Sequence, residues 1–179
     1  MNVRPFQAKM PRIADSAYID PTAVVIGDVT VGEDSSFWPM AVARGDVHFI
    51  RIGDRTSIQD GCVLHVTHDS EFAPGGAPLI VGSDVTVGHR VVLHACTVGN
   101  LCLIGMSASI MDGAVVGERS IIGAGTLVPP GKELEGGFLY RGSPAEQVRP
   151  LTADEHRYLE YAARHYAALK DRYRAGISG

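Results

Sequence analysis

Three histidines, His65, His89 and His94, stand in a repeating frame that decides where each ring points. Imidazole binds a metal through one nitrogen and donates a hydrogen bond through the other, so its placement separates a metal site from a solvated surface. The frame has a six-residue period. Apolar residues mark it at Ile19, Val25, Val31 and Phe37, then at Ile52, Ile58 and Leu64, then at Val81, Val87 and Leu93. After a slip of one residue it continues through Val98, Ile104, Ile110, Val116, Ile122 and Val128. A small residue tends to follow four positions later, as at Ala41, Thr56, Ala108, Ala114 and Thr126. Glycine often follows at once, as at Gly53, Gly82, Gly99, Gly105 and Gly117.

A hexapeptide period held over this much of a chain is the signature of a parallel β-helix. Each hexad is a short strand plus a tight corner, and three hexads make a triangular coil of about 18 residues. The first residue points inward and stacks on its equivalents above and below. The small residue fits the narrow interior, and the glycine is expected to supply backbone freedom at the corner.

Stacking gives the histidines their meaning. The segment from Asp69 to Leu79 is rich in Pro and Gly and breaks the period. Removing its 11 residues from the 29 that separate Leu64 and Leu93 leaves 18, one full coil. Leu93 is therefore expected over Leu64, and Val87 over Ile58. His65 and His94 then hold the same outward position in adjacent coils, about 4.8 Å apart at the backbone. Two imidazoles at that spacing suit one metal. His89 lies two residues past Val87, near a corner and poorly placed to join them within one chain. A neighbouring copy could supply it.

Composition fits one compact domain with an appendage. The chain has 179 residues, a net charge of −4 with both signs interspersed, and three cysteines without metal-type spacing. No basic patch for nucleic acid is evident. Cys62 and Cys102 fall on small interior positions, where a reduced thiol acts as a small hydrophobe. No apolar stretch reaches the length of a signal peptide or a membrane span, and a cytoplasmic location is expected. Residues 1–18 read as a lead-in covering the first coil, and another interruption falls near Ala43–Phe49. Residues 1–150 form the β-helix with its lead-in and a final turn region, and 151–179 a helix on its flank, within the same domain. Thr152 with Glu155 is a capping box, and Leu159, Ala162, Ala163, Tyr166, Leu169 and Tyr173 recur at helical spacing. The expected helix is 152–174, stopped near Gly176. The fold class is all-β with a terminal α-helix.

Taken in order, Arg44-Gly45-Asp46, the run Ile58-Gln59-Asp60-Gly61-Cys62-Val63-Leu64-His65, Val87-Gly88-His89 and Leu93-His94 make the chain resemble the gamma-class carbonic anhydrase family. The resemblance covers nearly the whole chain and is nearest to the short bacterial carbonic-anhydrase-like hexapeptide proteins. It implies a left-handed β-helix and a homotrimer with its metal sites between subunits. The metal would be Zn2+, with Fe2+ or Co2+ in some members. His65 and His94 of one chain and His89 of its neighbour would be the ligands. The resemblance further implies that Gln59 holds a metal-bound hydroxide, and that Arg44, Asp46 and Asp60 form an interfacial network. Tyr140 is a further candidate, with packing against the sheet as its plainer reading.

The implied reaction is reversible hydration of carbon dioxide to bicarbonate by metal-bound hydroxide. The sequence departs from the archaeal enzyme type at two places that carry glutamates there, where Val47 and His68 stand here. Proton export would then fall to His68 or be slow. Alternatives are a hexapeptide acyltransferase with a single His as base, a CoA-thioester hydrolase, or a metal-binding trimer without catalysis. Three histidines in a metal arrangement argue against the acyltransferase.

Overall fold

A computed structural model describes residues 2–177. Short strands follow one another around a narrow apolar interior as a parallel β-solenoid, and a single helix, Ala153–Ile177, follows. One face carries Val63–His65, Val92–His94, Ser109–Ile110 and Leu127–Val128, each parallel to the next. A second carries Leu79–Val81, Thr97–Val98, Val115–Val116 and Glu133–Leu134. The third carries Ser36–Phe37, Ser57–Ile58, Thr86–Val87, Leu103–Ile104, Ile121–Ile122 and Phe138–Arg141. Antiparallel Glu146–Pro150 closes that third face with an exposed edge.

The hexad positions form the core as expected. Ile58, Val87, Ile104, Ile122 and Tyr140 make one interior column, and Leu64, Leu93, Ile110 and Val128 another, all buried. Cys62, Cys96 and Cys102 are also interior and unpaired. Burial pushes the Cys62 thiol up to about 11 and the other two to about 12, which leaves them inert. The lead-in adds partial coils, Val3–Arg4 on Val25–Ile26 and Arg12–Ile13 on Thr30–Val31. The interruption near Ala43–Phe49 does not break the strand. Val24–Val31 and Val42–Ile52 run through the corner as long strands, with a register shift between Gly27 and Val29.

The glycines require a correction. Those that follow the inward residue do not hold the left-handed conformation. At the corners of successive coils it falls two positions further on, at Arg55 (φ 51°), Asp84 (φ 60°), Leu101 (φ 53°) and Arg119 (φ 56°). Gly105 instead allows close approach between coils: a Cβ there would meet Ala124 N at 2.5 Å and Gly123 C at 2.7 Å. Backbone crowding, not freedom of φ, selects glycine at this position.

The helix docks on the third face with Leu159, Ala162 and Ala163 buried. Its capping box forms as expected: Glu155 N donates to Thr152 Oγ1 at 3.2 Å, and Thr152 N donates to Glu155 Oε2 at 2.8 Å. Trp38 meets Tyr166 and Tyr173 edge-on. Lys170 is almost wholly buried and pairs with Asp34 at 2.8 Å, which offsets the cost of enclosing its charge. The helix begins at Ala153, with Thr152 as its cap, and its last described residue is Ile177, one past Gly176.

Two substitutions separate crowding from φ. Gly105→Ala should lower stability by about 2–3 kcal/mol through overpacking. Gly125→Ala, with φ +68° and nothing within 4 Å of the added Cβ, should cost about 1 kcal/mol. Urea unfolding midpoints of the two proteins measure this, and a larger loss at Gly125 would contradict the assignment.

Candidate metal centre

His65 and His94 meet because their neighbours are buried. Leu64 lies on Leu93 and Val63 on Val92, which sets His94 directly on His65. Side chains alternate along a strand, so burial of both leucines turns both imidazoles outward. The ring centroids are 5.2 Å apart, and His65 Nδ1 faces His94 Nε2 at 3.1 Å.

The other two nitrogens are spoken for. His65 Nε2 lies 3.1 Å from Asp46 Oδ1, and His94 Nδ1 lies 2.6 Å from Asp112 Oδ1. An ionised carboxylate only accepts, so each of these nitrogens carries the proton of its neutral ring. The nitrogens that face each other are then both lone pairs. Two lone pairs in contact call for a cation between them. Ligand nitrogens bound tetrahedrally at about 2.05 Å lie about 3.3 Å apart, close to the separation here. The donor set fits a divalent metal. A shared proton would serve only by charging the pair, and burial together with Arg44 holds the His65 pKa below its ordinary value of 6.5.

The carboxylates are themselves anchored. Burial alone would raise the Asp46 carboxyl, but the Arg44 guanidinium and the His65 ring outweigh it and hold it below the usual range. Burial likewise opposes, and Thr67 and His94 overcome, the shift at Asp112. Arg44 pairs with Asp46 while remaining largely exposed. The resemblance placed Asp60 with these two. Within one chain its partner is instead His89, whose Nδ1 lies 2.8 Å from Asp60 Oδ2. With Nδ1–H donating to Asp60, His89 Nε2 carries the lone pair of the neutral ring. Among the described residues no group of three or more His, Cys, Asp or Glu gathers to hold a metal within one chain. His89 therefore stands apart from the pair, as its corner position required.

Gln59 lies across the corner from His65, on the third face, in register with Gly88 and one residue before Asp60. It is buried and shares a cavity of about 350 Å³ with Thr86, Leu103, Ile121, Tyr158 and Tyr166. Within one chain Gln59 accompanies His89, not the pair. Tyr140 requires a correction: its ring is interior, and its hydroxyl donates to the Glu135 carbonyl at 2.9 Å, far along the stack from the histidines. The first residue of a hexad must point inward, and Tyr140 is one. His68 is exposed on the loop that follows Thr67, and Val47 is exposed beside Asp46. Sequence reasoning missed Asp112 and Tyr166. Asp112 sits 18 residues past His94, one coil on, and that spacing was the signal available.

Comparisons with known proteins show the family. A profile described as "Bacterial transferase hexapeptide (six repeats)" matches residues 95–130. Protein YrdA of Escherichia coli is 52% identical over 96% of the chain and 93% of its own length. A carbonic anhydrase of Geobacillus kaustophilus is 43% identical over 97% of the chain and 91% of its own length. The chain belongs to the gamma-class carbonic anhydrase family. A gamma-class chain shares its solenoid with transferases as well. The crystal structure of a Bacillus cereus gene product, provisionally described as an acetyltransferase, superposes with a TM-score of 0.90 at 42% identity, covering 96% of each chain.

The ionisation pattern predicts how stability responds to acid. A folded His65 pKa below 6.5 means that the unfolded ring binds its proton more readily. The contribution is complete above pH 6.5 and is lost as pH falls through the lower, folded value. Asp46 and Asp112, held below 3.8, add a second loss at more acid pH. Urea unfolding of metal-free protein from pH 8 to pH 3 should show stability declining in two stages. Rising stability between pH 7 and pH 5 would contradict this.

Proposed function

We propose that the protein is a gamma-class carbonic anhydrase-type metalloenzyme that interconverts carbon dioxide and bicarbonate. The metal, zinc or in its place iron or cobalt, would be held by His65 and His94 of one subunit and His89 of the next in a homotrimer. The observation that carries this reading is that His65 Nδ1 and His94 Nε2 face each other at 3.1 Å while a carboxylate lies against the other nitrogen of each ring. Three neutral imidazoles leave a divalent metal its full charge, and such a metal supplies Lewis acidity that lets a bound water ionise near neutral pH.

The chain's own residues divide the remaining tasks. Asp46, Asp60 and Asp112 each accept from one imidazole and keep its other nitrogen free for the metal. Gln59 is buried on the same corner as His89 and would orient the reacting water through its amide. Arg44, held in place by Asp46, offers a cation to the bicarbonate product. Val47 cannot carry a proton away, so exposed His68 is the candidate carrier and turnover is expected to be modest.

The apolar cavity beside Gln59 favours a second reading. At about 350 Å³ it exceeds the needs of carbon dioxide and is of the size that takes an acyl group. Hydrolysis of an acyl thioester by the same centre would use it.

Metal content and carbon dioxide hydration, measured on the same samples, test the proposal. Wild type should hold one metal per chain and hydrate carbon dioxide. His94→Ala should lose both, and Gln59→Ala should keep the metal while losing about 10- to 100-fold in rate. Full metal and activity in His94→Ala would overturn the site. Metal without hydration at any pH would overturn the reaction and direct the test to thioesters. Because only the trimer would offer three ligands, stripping the metal should also lower Tm and make it depend on protein concentration. An unchanged Tm after stripping would contradict that linkage.

A further inference from the structure

Asp112 lies in the coil beyond the histidine pair, and its carboxylate is shared. Oδ1 accepts from His94 Nδ1 at 2.6 Å, and Oδ2 accepts from the Thr67 hydroxyl. Thr67 is the root of the loop that breaks the repeat. Its backbone exchanges two hydrogen bonds with Ala77, at 3.0 and 2.9 Å, and closes an excursion whose tip, Phe72, is 90% exposed. One carboxylate thus joins three levels of the solenoid: the loop root in the coil of His65, the ring of His94 in the next, and its own backbone in the third.

We propose that Asp112 is a positioning residue with two linked tasks. It fixes the His94 tautomer that leaves Nε2 unprotonated, and through Thr67 it couples metal retention to the closed form of the 67–79 loop. The inference rests on the metal reading given above. A neutral imidazole has one N–H, and a carboxylate facing Nδ1 holds that hydrogen on Nδ1. Asp46 performs the same service for His65 but is anchored by Arg44, an exposed side chain on its own strand. Asp112 takes its anchor from the loop. Coupling of this kind is reciprocal: closing the loop strengthens metal binding, and metal binding closes the loop by an equal free energy.

Three measurements on the full-length protein test this. The first is 15N NMR of the histidine rings in metal-free protein at pH 8. Wild type and Asp112→Asn should show His94 protonated at Nδ1, and Asp112→Ala should move the proton to Nε2. The second is zinc affinity. Asp112→Ala should weaken it by about 10- to 100-fold, and Asp112→Asn, which keeps an acceptor, should restore most of the loss. The third is limited proteolysis between residues 69 and 78. Zinc should protect this segment in wild type and protect it far less in Thr67→Val, which should also bind zinc more weakly. An unchanged His94 tautomer in Asp112→Ala overturns the positioning role. Equal zinc protection in wild type and Thr67→Val overturns the coupling. A wild type that binds no zinc overturns the metal reading and the coupling with it, while the tautomer measurement still decides what Asp112 does.

Discussion

Val92–His94 lies on Val63–His65 with Leu93 against Leu64, and both leucines are wholly buried. A slip of one residue would turn the leucines out and the histidines into the interior. Coils above and below hold the register, since Ile110 stacks on Leu93 and Val128 on Ile110. The site is a consequence of that stacking. Each coil contributes little alone, and neighbouring coils together enforce a separation that a free loop would not keep.

Electrostatics then completes what packing begins. His65, His89 and His94 each have a carboxylate on one nitrogen, which favours the tautomer that leaves the other nitrogen unprotonated. Preorganisation of this kind lowers the cost of binding, because the rings need not reorient or give up a competing proton. His89 follows the same rule with Asp60 yet stands apart from the pair. On the proposed reading, these two separate places on one chain are the two parts of a site divided between subunits.

The sequence made much of this legible because the solenoid is nearly one-dimensional. A sustained hexad fixes what stacks on what, and the 18-residue coil, once the loop was subtracted, placed Leu93 over Leu64 and Val87 over Ile58. What stayed hidden depends on contacts across coils between residues that carry no period. Asp112 looks like an ordinary turn residue until its coil is laid beside His94. Tyr166 lies on a helix whose facing surface is not written in the repeat. The glycines were misread for a related reason. Crowding between backbones and a left-handed φ both favour glycine, and only the stacked coils show that Gly105 answers to crowding while Leu101 and Arg119 carry the left-handed turn.

The central claim is a metal site shared between subunits, and complementation tests it most directly. His89→Ala and His94→Ala chains are each assembled alone and then co-assembled at equal ratio, with tightly bound zinc measured in all three. Neither protein alone should hold tight zinc, because every site lacks one imidazole. In a random cyclic trimer of the two, about one interface in four joins an intact His65–His94 pair to an intact His89, so about a quarter of the sites should return. Tight zinc in either variant alone, or none in the mixture, would contradict the account.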